Sequence, residues 1–202
     1  MATLELLWIP LGAGAVVVRL NGRIFERLSA LVARRPACDL YHSALVVHMP
    51  EGRYVIEVAP RPDWDCEHRG VMADGAVGHR WLGRFRLFRY EVRRWLDGIL
   101  PDEGFSVSTV RIEIDLDHAR RVIELLPSVP APVWGRDELG AGEMWNSNSV
   151  VSWVLCRAEI DLAPFVMPTG GRAPGWDAGI VIAGRESRQN PDSRSSPDAS
   201  LG

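Results

Sequence analysis

Cysteine, net charge and long apolar runs are all scarce in this chain. Three cysteines occur, Cys38, Cys66 and Cys156. So few, and odd in number, they exclude a disulfide frame and read as the reduced thiols of a cytoplasmic protein. Basic residues number 23 against 26 acidic, a net charge of −3, so the whole-molecule field does not argue for nucleic acid. Residues 4 to 18 are apolar enough to imitate the core of a signal peptide. Glu5 interrupts them, however, no basic region precedes them, and the run is too short to span a bilayer. No transmembrane segment is expected. There is no internal repeat, Walker-type loop or dinucleotide fingerprint, and no cofactor is expected. Cys66, His68 and His79 fit no tetrahedral ligand spacing, so no metal is expected either.

What is present suits one mixed domain over residues 1–183, followed by a tail from Gly184 to Gly202. That tail is rich in Ser, Asp, Arg, Asn, Pro and Gly, and is expected to be disordered because it has too little apolar surface to offset its ordering entropy. Along the domain, Leu4 to Ile9 and Ala15 to Arg19 read as short strands. Asn21 caps a predicted helix over Gly22 to Arg35, with Ile24, Leu28, Leu31 and Val32 on one stripe and Pro36 as its stop. Val107 to Asp115 alternates like a strand, and Asp117 is the expected cap of a helix from His118 to Leu126 with Val122, Leu125 and Leu126 inward. After a Gly/Pro loop from Thr169 to Trp176, Gly179 to Ala183 reads as a last strand.

Two stretches carry chemistry. The first is a hairpin, Tyr41 to Met49 and Arg53 to Ala59, joined at Pro50-Glu51-Gly52. If His48 pairs with Arg53, His42 and Glu57 become diagonal neighbours on one face, and a carboxylate could then orient an imidazole. A slip of one residue would separate them. The plainer alternative is a strand-start histidine and a solvated glutamate. The second stretch is Glu143 to Cys156. A Gly/Pro-rich loop (Pro127 to Gly142) leads into a helix over Asn146 to Ala158, on which Val150, Val151, Val154 and Leu155 form an apolar stripe at about 100° per residue. Ser147 falls within that stripe at the helix N-terminus, where free N–H groups and the dipole favour nucleophiles and anions. Taken alone, Asn146, Ser147 and Asn148 read first as plain caps, for which Asn and Ser are preferred.

A strand-borne histidine, then a hairpin glutamate in Tyr54-Val55-Ile56-Glu57, then a helix opening on Asn146-Ser147-Asn148 resembles the circularly permuted papain fold. That clan includes the NlpC-like permuted amidases, the lecithin:retinol acyltransferase group and the PPPDE isopeptidases. The resemblance covers Tyr41 to Asp161. It implies an α+β fold with an antiparallel barrel-like sheet and a central helix bearing the nucleophile at its N-terminus. It further implies a Ser147–His42–Glu57 triad, with Tyr41, Asn146 and Asn148 as oxyanion or supporting groups. Serine stands where the family has cysteine. A hydroxyl cannot be stored as an anion as a thiolate can, and needs a concerted base and a well-placed oxyanion hole.

Two function classes follow from the resemblance. One is a hydrolase or acyltransferase acting on an amide, ester or thioester. The other is a catalytically silent relative that binds a small peptide or acyl-containing ligand in the same cleft. The segment from Arg80 to Trp95 adds a third. There Arg80, Arg84, Arg86, Arg89, Arg93 and Arg94 interleave with Trp81, Phe85, Phe88, Tyr90 and Trp95. Such a surface could bind nucleic acid or anionic lipid. The alternation in Arg84-Phe85-Arg86-Leu87 instead predicts a half-buried strand with arginine on its wet face.

Overall fold

The structure, a computed structural model, describes residues 1–12, 34, 36–61, 70–100 and 102–189. The expected strand at Ala15 to Arg19, the helix at Gly22 to Arg35 apart from Arg34, the Cys66/His68 loop and the chain beyond Gln189 fall outside those residues. Among the described residues there are seven strands: β1 (Ala2–Pro10), β2 (Asp39–Met49), β3 (Gly52–Pro60), β4 (Val71–Ala76), β5 (Arg89–Leu96), β6 (Ser108–Ile114) and the short β7 (Gly171–Arg172). Three α-helices accompany them there, α1 (Leu116–Leu125), α2 (Ser147–Arg157) and α3 (Trp176–Gln189).

The fold is α+β. Six strands run in the order β4-β5-β3-β2-β1-β6, every ladder antiparallel, while β7 adds in parallel to the start of β2. The expected barrel-like closure does not occur, because β4 and β6 end the sheet on opposite sides and no ladder joins them among the described residues. The hairpin has the predicted register, with His48 opposite Arg53 and Met49 opposite Gly52. Gly52 at φ +146° permits the tight turn.

Strand alternation divides the sheet into two faces. Leu4, Leu6 and Trp8 of β1, Tyr41, Leu45 and Val47 of β2, and Ile56 and Val58 of β3 share one core with the three helices. Leu7, Ile9, Ala44, Val46 and Val55 lie on the other face with Leu100. Val110, Ile112 and Ile114 of β6 turn to the helix side, where they are partly buried.

Three local expectations need correction. Asp115, not Asp117, caps α1: its carboxylate accepts from the His118 amide at 2.8 Å, and that bond holds its pKa below the usual range. The segment predicted as a strand at Gly179 to Ala183 lies inside α3, which runs on to Gln189, so the tail does not begin at Gly184. Gly179 explains the difference. A Cβ there would collide with the Ser149 carbonyl and the Ser152 hydroxyl, so glycine lets α3 lie directly against α2. Finally, Arg84-Phe85-Arg86-Leu87 is not a strand. Successive bonds from Leu82, Phe85 and Phe88 amides to carbonyls three residues back wind it into the 3₁₀ turns Arg80–Arg84 and Arg86–Phe88.

Candidate functional site

Helix α2 starts where its caps predict. Asn146 is the N-cap; its side-chain oxygen accepts from the Asn148 and Ser149 amides, and the Ser149 hydroxyl accepts from the Asn146 amide. Asn148, almost fully buried, reaches further. Its Nδ2 donates to the carbonyls of Tyr41 (3.0 Å) and Pro174 (2.9 Å), and its Oδ1 accepts from the Ser43 hydroxyl at 2.9 Å. Asn146 Nδ2 also donates to Pro174 O at 2.8 Å. Ser149 donates to Gly175 O at 2.7 Å and Ser152 to Trp176 O at 2.6 Å. Gly175 holds φ +86°, and a Cβ there would come within 2.7 Å of Asn146 Oδ1 and Ser149 Oγ. The Asn-Ser-Asn-Ser motif thus fastens the start of β2, the head of α2 and the loop into α3.

Ser147 itself is buried, 4 % exposed, and its hydroxyl makes no hydrogen bond among the described residues. No imidazole faces it from β2. The β2 side chains on the helix side are Tyr41, Ser43, Leu45 and Val47; His42 alternates onto the opposite face with Ala44 and Val46. The sheet therefore separates the expected nucleophile from its expected base. Tyr41 packs its ring against Gly171 and gives its carbonyl to Asn148, so the Tyr41 group directed at the motif is an acceptor rather than an oxyanion donor. Burial raises its phenol pKa.

His42 and Glu57 do share a face, as the register predicts, but no hydrogen bond or ion pair joins them among the described residues. Glu57 instead lies opposite Arg93 of β5, whose guanidinium is 3.9 Å away. Burial raises the Glu57 carboxyl, Arg93 opposes that rise, and Asp102 adds to it. Arg93 and Glu91, both buried, pair at 3.0 Å. Arg93 also donates to Pro60 O, and Arg61 lies 3.7 Å from Glu91. This charge network was missed in the sequence. The Arg-rich reading of the segment hid the fact that β5 pairs Arg93 with Glu57 of β3.

Half-buried His42 has no carboxylate to hold a proton among the described residues, and burial pushes its pKa down to about 4. The unfolded ring titrates near roughly 6.5, so between these values the unfolded state binds the proton and the folded state does not. Stability is then full above the unfolded pKa and is lost as pH falls toward the folded one. The expected loss is on the order of 2 kcal/mol, and His42→Gln should remove it. Denaturant unfolding of both proteins at about pH 4.5 and about pH 7 checks this; an equal acid loss in the variant would refute it.

Elsewhere, an open groove of about 590 Å³ is lined by Gly78, His79, Arg80, Val133, Arg136, Asp137 and Glu138. Its arginines are engaged in holding its walls together: Arg80 meets Glu138 at 2.8 Å and Arg136 donates to Gly78 O at 2.8 Å. Among the described residues no group of three or more His, Cys, Asp or Glu is placed to hold a metal ion. No helix among them is long and apolar enough to cross a membrane.

The two 3₁₀ turns expose a cluster of large side chains. Trp81 is 53 % exposed, Phe85 49 % and Leu87 76 %. The Trp81 and Phe85 rings meet in a tilted contact with centroids 5.8 Å apart, and the Arg84 guanidinium sits 5.3 Å over the Trp81 ring. The turns are pinned from behind. Gly83 packs so close to Ala76 that a Cβ would come within 2.8 Å of it, and Arg89 donates to Gly83 O at 2.9 Å.

These features define an α+β protein with an open antiparallel sheet, three helices on one face, a polar latch at the head of α2 and an arginine–aromatic projection between β4 and β5. No protein-family model matches the chain, and neither a curated protein nor a solved structure is significantly similar to it.

Proposed function

We propose that this chain is a catalytically silent binding protein that meets anionic lipid headgroups through residues 80–88. The observation that carries the reading is the outward presentation of Trp81, Phe85 and Leu87 around Arg84. Fully burying side chains of this size is worth roughly 1.5–3 kcal/mol each, so exposing three together on a rigid projection is unfavourable without a partner. Aromatic rings with an apolar body suit the headgroup level of a bilayer, and each arginine near an anionic surface adds about 1 kcal/mol. The chain contains no lysine, so all 23 of its basic residues are arginine. The planar guanidinium can stack on a ring and pair with phosphate together. Leu87, the most exposed of the three, has no π-face to offer a base, which sets the nucleic-acid reading lower.

The silent half of the proposal rests on the latch and on the placement of His42. Asn146, Asn148 and Ser149 are committed to backbone partners, and the face of β2 toward Ser147 offers a serine and a tyrosine where the permuted papain mechanism needs an imidazole. Kinship with that clan belongs to the same proposal. Its support is the order of hairpin, then helix opening on Asn-Ser-Asn.

Co-sedimentation with vesicles tests the reading. Wild type should bind phosphatidylserine-containing vesicles and bind pure phosphatidylcholine much less. Arg84→Gln should weaken binding about fivefold, and Trp81→Ser with Leu87→Ser about tenfold or more. Equal binding to both kinds of vesicle, or to neither, would overturn the lipid assignment. A fluorophosphonate probe should label nothing; labelling that disappears in Ser147→Ala would restore the hydrolase.

A further inference from the structure

We infer that β6 is the seam of a homodimer, in which two copies pair their β6 strands antiparallel into one continuous sheet. Strand β6 ends the sheet order, bonded to β1 on one side, and among the described residues no strand pairs with its other side. A seven-residue edge without a partner strand is a template for another strand, and proteins blunt such edges with charged side chains, a proline or a bulge. This edge, Ser108-Thr109-Val110-Arg111-Ile112-Glu113-Ile114, has no proline and instead carries one charge of each sign.

Their spacing decides the partner. Arg111 and Glu113 both lie on the face away from the helices, opposite Glu5 and Thr3 of β1, and both are exposed. An antiparallel mate related by a two-fold axis through Ile112 sets Arg111 against Glu113 of the second copy, and Glu113 against its Arg111. Two cross-strand ion pairs form from one surface patch, as an isologous contact requires. On the other face, Ile112 meets its own symmetry mate and Val110 meets Ile114, so three partly buried side chains extend the helix-side core across the seam. An axis through Arg111 would oppose two guanidinium groups, so the charges also select the register. In the chain itself Arg111 reaches Glu5 at 3.2 Å, which holds the guanidinium over this face while leaving it 64 % exposed. The occupant that fits is a second copy of this chain, because the patch complements itself.

The seam is independent of the lipid proposal. Residues 80–88 join β4 to β5 at the far end of the sheet order, so pairing through β6 leaves them uncovered.

Sedimentation equilibrium on the full chain tests the seam. Wild type should show a monomer–dimer equilibrium. Glu113→Arg, which sets arginine against arginine, should be monomeric with an unchanged circular dichroism spectrum, and Arg111→Glu should behave alike with acid against acid. An equimolar mixture of these two variants should form a heterodimer, since each strand then opposes only opposite charges. Wild type that stays monomeric over the whole accessible concentration range overturns the inference. So does a dimer that survives Glu113→Arg, or a mixture that fails to associate when wild type does.

Discussion

Asn148→Ala is expected to lower stability by about 3–5 kcal/mol, one of the largest single-residue losses in the chain. Asn148 is 2 % exposed and joins three segments distant in sequence through Ser43, Tyr41 and Pro174. Alanine would strand the Ser43 hydroxyl and the Tyr41 carbonyl in a site closed to water, and each stranded group costs about 1–3 kcal/mol. A cavity at the junction of β2 and α2 adds to that. Ser147→Ala, one residue earlier on the same helix, removes a hydroxyl without a hydrogen-bond partner among the described residues and should change stability by less than about 1 kcal/mol. Urea unfolding of the two variants beside wild type makes the comparison. Equal losses at both positions would mean that the latch is not what holds the helix head.

Arg93→Met should cost about 3–5 kcal/mol for a different reason. Arg93 is 6 % exposed, and its guanidinium meets Glu91 at 3.0 Å, donates to Pro60 O at 3.0 Å and lies 3.9 Å from Glu57. Taking it away leaves two carboxylates facing each other's neighbourhood in a desolvated part of the sheet, with Arg61 at 3.7 Å from Glu91 as a weaker support. Breaking one side of a buried pair is far more damaging than removing both sides. Adding Glu91→Gln to Arg93→Met should therefore recover a substantial part of the loss. If the double variant is less stable than Arg93→Met alone, the network is not the cause.

Much of the local structure was legible in the sequence. The Pro50-Glu51-Gly52 turn between two β-branched runs made the hairpin legible and left few registers, of which the one pairing His48 with Arg53 forms. Asn146 announced the head of α2, because an N-cap acts through amides two and three residues away. Segments that take their shape from distant partners were not legible. Gly179-Ile180-Val181-Ile182-Ala183 has strand composition, yet its helix is decided by close contact of Gly179 with α2. Arg84-Phe85-Arg86-Leu87 alternates like a strand, yet β4 and β5 pair with each other and leave it no ladder to join.

By itself the sequence determined which residues share a face. A pleated strand alternates, so His42 and Glu57 had to fall on one side once the hairpin register was set. Only the tertiary structure decided which side received the helices. Strand β2 is apolar on both faces, Leu45 and Val47 on one and Ala44 and Val46 on the other, so its pattern cannot say where α2 will pack. The helix settled against Tyr41, Ser43, Leu45 and Val47, and Ser147 and His42 were thereby placed on opposite sides of the sheet.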